Sequence, residues 1–283
     1  MFHMVSLEPV DYLVIGHITV DLTPAGPIMG GSAAYAALTA RAMGLRVGVV
    51  TVRANEISLM GLDDIPVISG EAETSTTFEN IYTPTGRTQY IRKRALEVDL
   101  RMVPEAWRRS KIIHLAPVAR EVTPFLPADF HPAMLGLTPQ GWFRSWDEQG
   151  RVTDSSWEDM DEALPQASAV VLSVDDIAHD ENLIEHMAHL SRLLVVTDGA
   201  AGARLFWNGD SRRFRPPAVT EVDPTGAGDV FAAAFFARML NTRDPWEAVR
   251  FANRMAAISV TRSGLLGVPT MEEARDCLME IIE

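Results

Sequence analysis

The chain has 283 residues, 47% of them hydrophobic and 22% charged, which is the make-up of an ordinary soluble globular protein. Its 38 acidic residues outnumber 25 basic ones, and the formal net charge of −13 argues against a surface for nucleic acid or anionic membrane. The single cysteine, Cys277, excludes an internal disulfide framework and a multi-cysteine metal site, and no apolar run approaches the ~20 residues that span a bilayer.

Near the amino terminus Glu8 and Asp11 flank short apolar pieces, which is not the layout of a secretory signal, so the cytoplasm is the expected compartment. A first strand is predicted over 12–16 and a helix over 32–43, followed by a strand over 47–52. Segments 74–81 and 88–93 are β-forming and more polar, and the Thr83-Pro84-Thr85-Gly86 turn between them predicts a hairpin. Short apolar runs then predict strands over 112–115, 133–137, 169–173 and 193–197. Helices are predicted over 229–240 and 245–261, and a last one starts at Thr270, where Thr270 and Glu273 suit a capping box. Continuously apolar strands suit a sheet covered on both faces, hence an α/β fold with a mainly parallel sheet flanked by helices. The length allows one large domain or two modest ones. The hairpin is predicted to be exposed on one face. It reads as a lid over a substrate, a dimer edge or a plain solvent-facing excursion.

The most informative stretch is Asp223-Pro224-Thr225-Gly226-Ala227-Gly228-Asp229-Val230-Phe231, followed by the small-residue run Ala232-Ala233-Ala234. Two glycines and a carboxylate open a helix there, where free N–H groups and the helix dipole favour an anion. Asp229 reads either as a plain helix cap or as a carboxylate that performs chemistry. Lysine occurs only at Lys93 and Lys111, and neither follows a glycine, so a Walker A loop is absent. The Val-Ala-x-Lys and His-Arg-Asp patterns of protein kinases are missing too.

The nonapeptide resembles the carboxy-terminal signature of the ribokinase-like (PfkB) family of carbohydrate kinases, Asp-Thr-x-Gly-Ala-Gly-Asp, with Pro224 departing at the second position. The resemblance implies a single kinase domain over 1–283, with lid elements near 19–28 and 74–97. It implies Asp229 as the general base, with the N–H groups of Gly226, Ala227, Gly228 and Asp229 as an anion hole for the transferred phosphoryl group. Asp223 and Thr225 match positions that hold a monovalent cation, K⁺, in potassium-activated members.

Gly16-His17-Ile18-Thr19-Val20-Asp21 and Gly30-Gly31-Ser32-Ala33-Ala34-Tyr35 resemble the family's first signature, which implies that Asp21, Gly30 and Gly31 bind substrate hydroxyls. Tyr35 stands where many members carry Asn, and it reads as packing in the helix or stacking on a ring. His17, close to Asp21, reads as a further substrate contact. Thr197, Gly199 and Gly202 resemble the strand and turn beside the ATP phosphates and ribose, and Asn253 the helix residue near the adenine. Ser173-Val174-Asp175-Asp176 stands at the family's Asn-x-x-Glu element, so Asp176 acts on Mg²⁺ through water or else caps a helix. Arg144, after the 133–137 strand, steadies a phosphate or lid or makes a surface pair.

The function these likenesses imply is Mg-ATP-dependent phosphorylation of a hydroxyl on a small polyhydroxylated molecule. A sugar or a cyclitol such as myo-inositol is the leading acceptor, and a nucleoside is the alternative. A non-catalytic sugar or nucleotide binder is the contrasting class. Relatives dimerise through the hairpin lid, which makes a homodimer an expectation here too.

Overall fold

A computed structural model describes residues 8–56, 58–83 and 86–278, with backbone only at 82, 83, 86 and 87. In chain order the strands are β1 (Tyr12–Ile15), β2 (Thr19–Thr23), β3 (Gly26–Gly30), β4 (Val47–Arg53), β5 (Val67–Glu71), β6 (Thr77–Thr83), β7 (Gly86–Lys93) and β8 (Ile112–Leu115). They continue as β9 (Met134–Leu137), β10 (Arg144–Trp146), β11 (Val152–Asp154), β12 (Ala169–Ser173), β13 (Leu193–Thr197), β14 (Ala203–Trp207) and β15 (Asp210–Phe214). The helices are α1 (Ser32–Ala42), α2 (Met160–Ala163), α3 (Glu181–Leu190), α4 (Ala227–Thr242), α5 (Pro245–Ser259) and α6 (Met271–Asp276).

The main sheet has nine strands in the order β15-β14-β13-β12-β9-β8-β1-β4-β5. Its pairings from β12 to β5 and between β12 and β13 are parallel, and only the β13-β14-β15 end is antiparallel. Strands β1, β8 and β9 are buried along their whole length, as suits their apolar runs, which only His114 of β8 interrupts with a polar side chain. One face packs on α1, α4 and α5 around Tyr12, Val14, Phe235 and Phe236, and the other packs around Leu13, Ile113, Trp142 and Trp157. Phe236 seats over Gly136, where an added Cβ would lie 2.7 Å from its ring. The buried polar groups between them are paired: Tyr12 Oη lies 2.9 Å from His114 Nδ1, and His114 Nε2 lies 3.0 Å from Thr138 Oγ1. Burial pushes the His114 imidazole down to about 3, so it stays neutral.

The hairpin predicted over 74–93 is β6-β7, and its tip, Pro84-Thr85, lies outside the described residues. It belongs to a four-stranded sheet, β3-β2-β6-β7, in which the parallel β2-β6 pair joins two antiparallel hairpins. This is the small β lid. The short β10-β11 hairpin docks on its β7 edge through Ile91 N–H to Gly150 O at 2.8 Å. The Thr270–Glu273 capping box is formed, and Cys277 is buried. Among the described residues no helix is long and apolar enough to cross a membrane.

Candidate active site

Helix α4 begins at the carboxyl ends of the central strands, under the small sheet. Its N-cap, Gly226, has φ 78°, a left-handed conformation that glycine adopts without strain. There is a second reason for glycine: the ring of Tyr35 lies flat against the Gly226 α-carbon, where a methyl group would overlap it. The opposite holds at Gly228, where an added Cβ would meet nothing within 4 Å. Space is therefore left beside the first turn, where the Gly228 and Asp229 amides have no intrahelical acceptor. Ala227 differs from its expected part in the anion hole, because its N–H donates to Pro224 O at 3.2 Å.

Asp229 is the third residue of α4 and is half-buried. Burial raises its carboxyl to about 6, helped by the charges of Asp176 and Asp21 and opposed by the Ser32 hydroxyl and the Arg144 charge. Those causes also define the site, since they bring together residues far apart in sequence. Ser32 is the first residue of α1, directly after Gly30-Gly31. Asp21 lies on β2 of the small sheet, opposite Phe78 of β6, and accepts the Thr19 hydroxyl at 3.1 Å. Gly30 faces the Asp21 carboxylate so closely that no side chain fits.

Asp176 caps the turn after β12. Its carboxylate accepts Ser173 N–H at 2.8 Å and Gln140 Nε2–H at 2.9 Å. Burial raises its pKa, while those bonds and the Arg144 charge pull the other way. Arg144 opens β10, donates from Nη1 to Val118 O at 3.0 Å, and lies 5.6 Å from the Phe78 ring centroid. Its charge acts on both Asp176 and Asp229, and its guanidinium lies over a ring of the small sheet.

Other expected site residues lie elsewhere. His17 has 0% exposure, with Nε2 2.9 Å from Leu96 O and Nδ1 2.7 Å from Thr76 Oγ1. It does not face a substrate, because both ring nitrogens are spent inside the protein. Tyr35 is 3% exposed behind Gly226, so it supports the anion loop and presents no ring for stacking. Asn253 is buried, and its side-chain N–H donates to Phe214 O at 3.3 Å. Gly31 packs on the backbone of His17 and Thr19. Thr197 ends β13 with its hydroxyl on Leu172 O at 3.3 Å, and Gly199 and Gly202 flank the next turn, Gly202 beneath Phe214 and Pro216.

Asp223 is a strap between loops. One carboxylate oxygen accepts Thr225 N–H at 2.9 Å and the other accepts Gly264 N–H at 2.8 Å and the Ser263 hydroxyl at 3.3 Å. Burial pushes this carboxyl up, but those hydrogen bonds outweigh it and hold it below its ordinary value. Both Asp223 oxygens thus tie the start of the glycine loop to residues 263–264. Among the described residues no group of three His, Cys, Asp or Glu side chains forms a metal cage.

A large parallel sheet, a small β lid and a helix start with a half-buried carboxylate define a ribokinase-like α/β fold. Residues 148–271 match the model of the pfkB family carbohydrate kinases, and the chain has the fold of that family. It is 38% identical over 79 residues to an inositol 3-kinase of Oryza sativa subsp. japonica, a match covering 28% of this chain and 19% of that one. It is 30% identical over 138 residues to a probable chloroplastic fructokinase-6 of Arabidopsis thaliana, covering 45% and 36%. The matched segments thus span about a third or less of these curated relatives. Among solved structures, a pyrophosphate-dependent kinase of the ribokinase family, complexed with a pyrophosphate analog and myo-inositol, superposes at TM-score 0.76 with 18% identity over 93% of this chain and 99% of that one.

That comparison corrects the expected donor. ATP does not follow from the fold, because kinases this similar in structure depend on pyrophosphate. The Mg-ATP reading is withdrawn with it.

Proposed function

We propose that this chain transfers a phosphoryl group from pyrophosphate to a hydroxyl of a small cyclitol or sugar-like polyol, with an inositol as the leading acceptor. The observation that carries the reading is Asp229, a carboxylate raised to about 6 at the start of a helix with open space at Gly228, facing Asp21 across the site. The likeness to inositol 3-kinases and to the myo-inositol-bound kinase supports the acceptor class, and the latter supports the donor.

In this reading Asp21 accepts hydrogen bonds from acceptor hydroxyls, and Asp229 takes the proton of the attacking one. The new P–O bond forms as the bond to the departing orthophosphate breaks, and the products are a phosphate ester and orthophosphate. The amides of Gly228 and Asp229 and the Arg144 guanidinium stabilise charge on the group in transit. Asp176 would order the water shell of a magnesium ion that arrives with the donor. The small sheet excludes water, which otherwise competes with the acceptor.

The reading treats 1–283 as one cytoplasmic kinase unit with 19–28 and 74–97 as its lid. It includes self-association through the small sheet, where Leu22, Ile28 and Ile81 are exposed; sedimentation tests that part. The main test is orthophosphate release from pyrophosphate, measured with and without each of a panel of cyclitols and sugars. Release that requires a polyol is expected. Turnover with ATP alone as donor overturns the donor assignment, and no polyol-dependent release with either donor overturns the function.

A further inference from the structure

The chain passes between the main sheet and the small sheet at 16–18, 30–31, 72–76 and 94–97, and all these crossings meet at His17. The Thr76 hydroxyl accepts Ala95 N–H at 3.0 Å and lies 2.7 Å from His17 Nδ1. Leu96 O can only accept, so His17 Nε2 donates to it at 2.9 Å, and Nδ1 of the neutral imidazole is left to accept the Thr76 hydroxyl. His17 N–H donates to Glu121 Oε1 at 3.0 Å, and the same carboxylate accepts the N–H groups of Val118, at 3.0 Å, and Ala119, at 2.7 Å. The remaining crossing packs on the same point, since a Cβ at Gly31 would lie 2.5 Å from His17 O and 2.9 Å from Thr19 N. His17 and Thr76 are 0% exposed and Glu121 is 1% exposed.

This arrangement has a mechanical consequence. Asp21 is on the small sheet and Asp229 is on the body, so the distance between acceptor site and base depends on how the two parts are joined. Val20 N–H donates to Thr76 O at 2.9 Å, one residue from Asp21, so the junction reaches directly into the strand that carries it. A buried, fully satisfied polar cluster is rigid, and it loses that rigidity when one member is removed.

We propose that His17, Thr76 and Glu121 are positioning residues: they form the pivot that sets the small sheet over Asp229 and act on turnover through Asp21, without touching substrate. The effect on turnover rests on the proposed function, whereas the effect on the small sheet does not.

Thr76→Val keeps the shape and removes the hydroxyl, leaving His17 Nδ1 and Ala95 N–H without their partner, and Thr76→Ser restores it. Amide hydrogen exchange in β2, β3, β6 and β7 is expected to quicken at least ~10-fold in the valine variant, with α4 and β12 unchanged. The acceptor KM, read with myo-inositol, is expected to rise about 10-fold while the pyrophosphate KM stays within about 2-fold, and serine recovers both. Should the valine variant fail to fold, His17→Gln, which keeps a donor for Leu96 O, is read in the same way. Unchanged exchange in the small sheet, equal shifts in both KM values, or no recovery with serine overturns the proposal. A wild-type protein without turnover refutes the proposed function, and the exchange measurement then decides the pivot on its own.

Discussion

Replacing Asp229 with asparagine removes the charge of the proposed base at almost constant shape, and it should move activity and stability in opposite directions. The Asp229 carboxyl sits at about 6 when folded against 3.8 for an ordinary aspartate, chiefly because burial disfavours its charge. Below pH ~4 it is protonated in both states and costs nothing. Between about 4 and 6 the folded protein binds a proton that the unfolded chain has released, so its contribution to stability falls as pH rises. Above pH ~6 the full penalty stands, at most about 3 kcal/mol, and about 1–2 kcal/mol once the solvent reaching this half-buried group is allowed for. Urea unfolding of wild type and Asp229→Asn at pH 5 and pH 8 reads this directly. The variant should be the more stable at pH 8, by about 1–2 kcal/mol, and the difference should shrink at pH 5. Phosphoryl transfer should fall at least ~100-fold at pH 8. Equal stability at both pH values would refute the burial argument, and near-normal turnover would refute the role as base.

Removing the Arg144 charge by Arg144→Gln should raise the Asp229 pKa, so the acid limb of the kcat/KM profile moves upward. Transfer should drop about 10-fold or more, with Arg144→Lys recovering only part of it; an unmoved acid limb counts against the assignment. Gly226→Ala must adopt φ 78° and push a methyl group into the Tyr35 ring. It should lose about 1–3 kcal/mol in thermal unfolding and most of its activity, and a melting curve like that of wild type would contradict the packing described. Glu121→Ala leaves the buried amides of His17, Val118 and Ala119 without an acceptor, and a loss of at least ~2 kcal/mol is expected by urea unfolding.

Much of the fold was legible because it is local. The doubly covered strands β1, β8, β9, β12 and β13 are largely apolar runs, and α4 announces itself by Gly226, Gly228 and the alanines behind them. The β14-β15 hairpin was missed although it carried a signal: Asn208-Gly209 sits at its turn with φ 50° and 77°. Strand β5 and the β10-β11 hairpin are short and half-exposed, without a clear alternation to read.

The site was legible in its carboxylates and less so in its supports. Asp21 and Asp229 stand in recognisable strings, whereas only the fold brings Ser32 to the Asp229 carboxyl and shows that the Arg144 charge acts on Asp229. His17 reads as a substrate contact because it neighbours Asp21, and Tyr35, after Gly30-Gly31, reads as a packing residue or a stacking ring. Sequence proximity does not reveal direction, and both side chains turn inward, His17 to the junction of the two sheets and Tyr35 to Gly226.

The central claim is transfer from pyrophosphate to a polyol at Asp229, and ³¹P nuclear magnetic resonance of the products tests it most directly. Protein incubated with pyrophosphate, magnesium and myo-inositol or another cyclitol should give a phosphate monoester resonance together with orthophosphate in equal amounts, and Asp229→Asn should give neither at a comparable rate. Orthophosphate without an ester, or an ester formed equally well by Asp229→Asn, would contradict it.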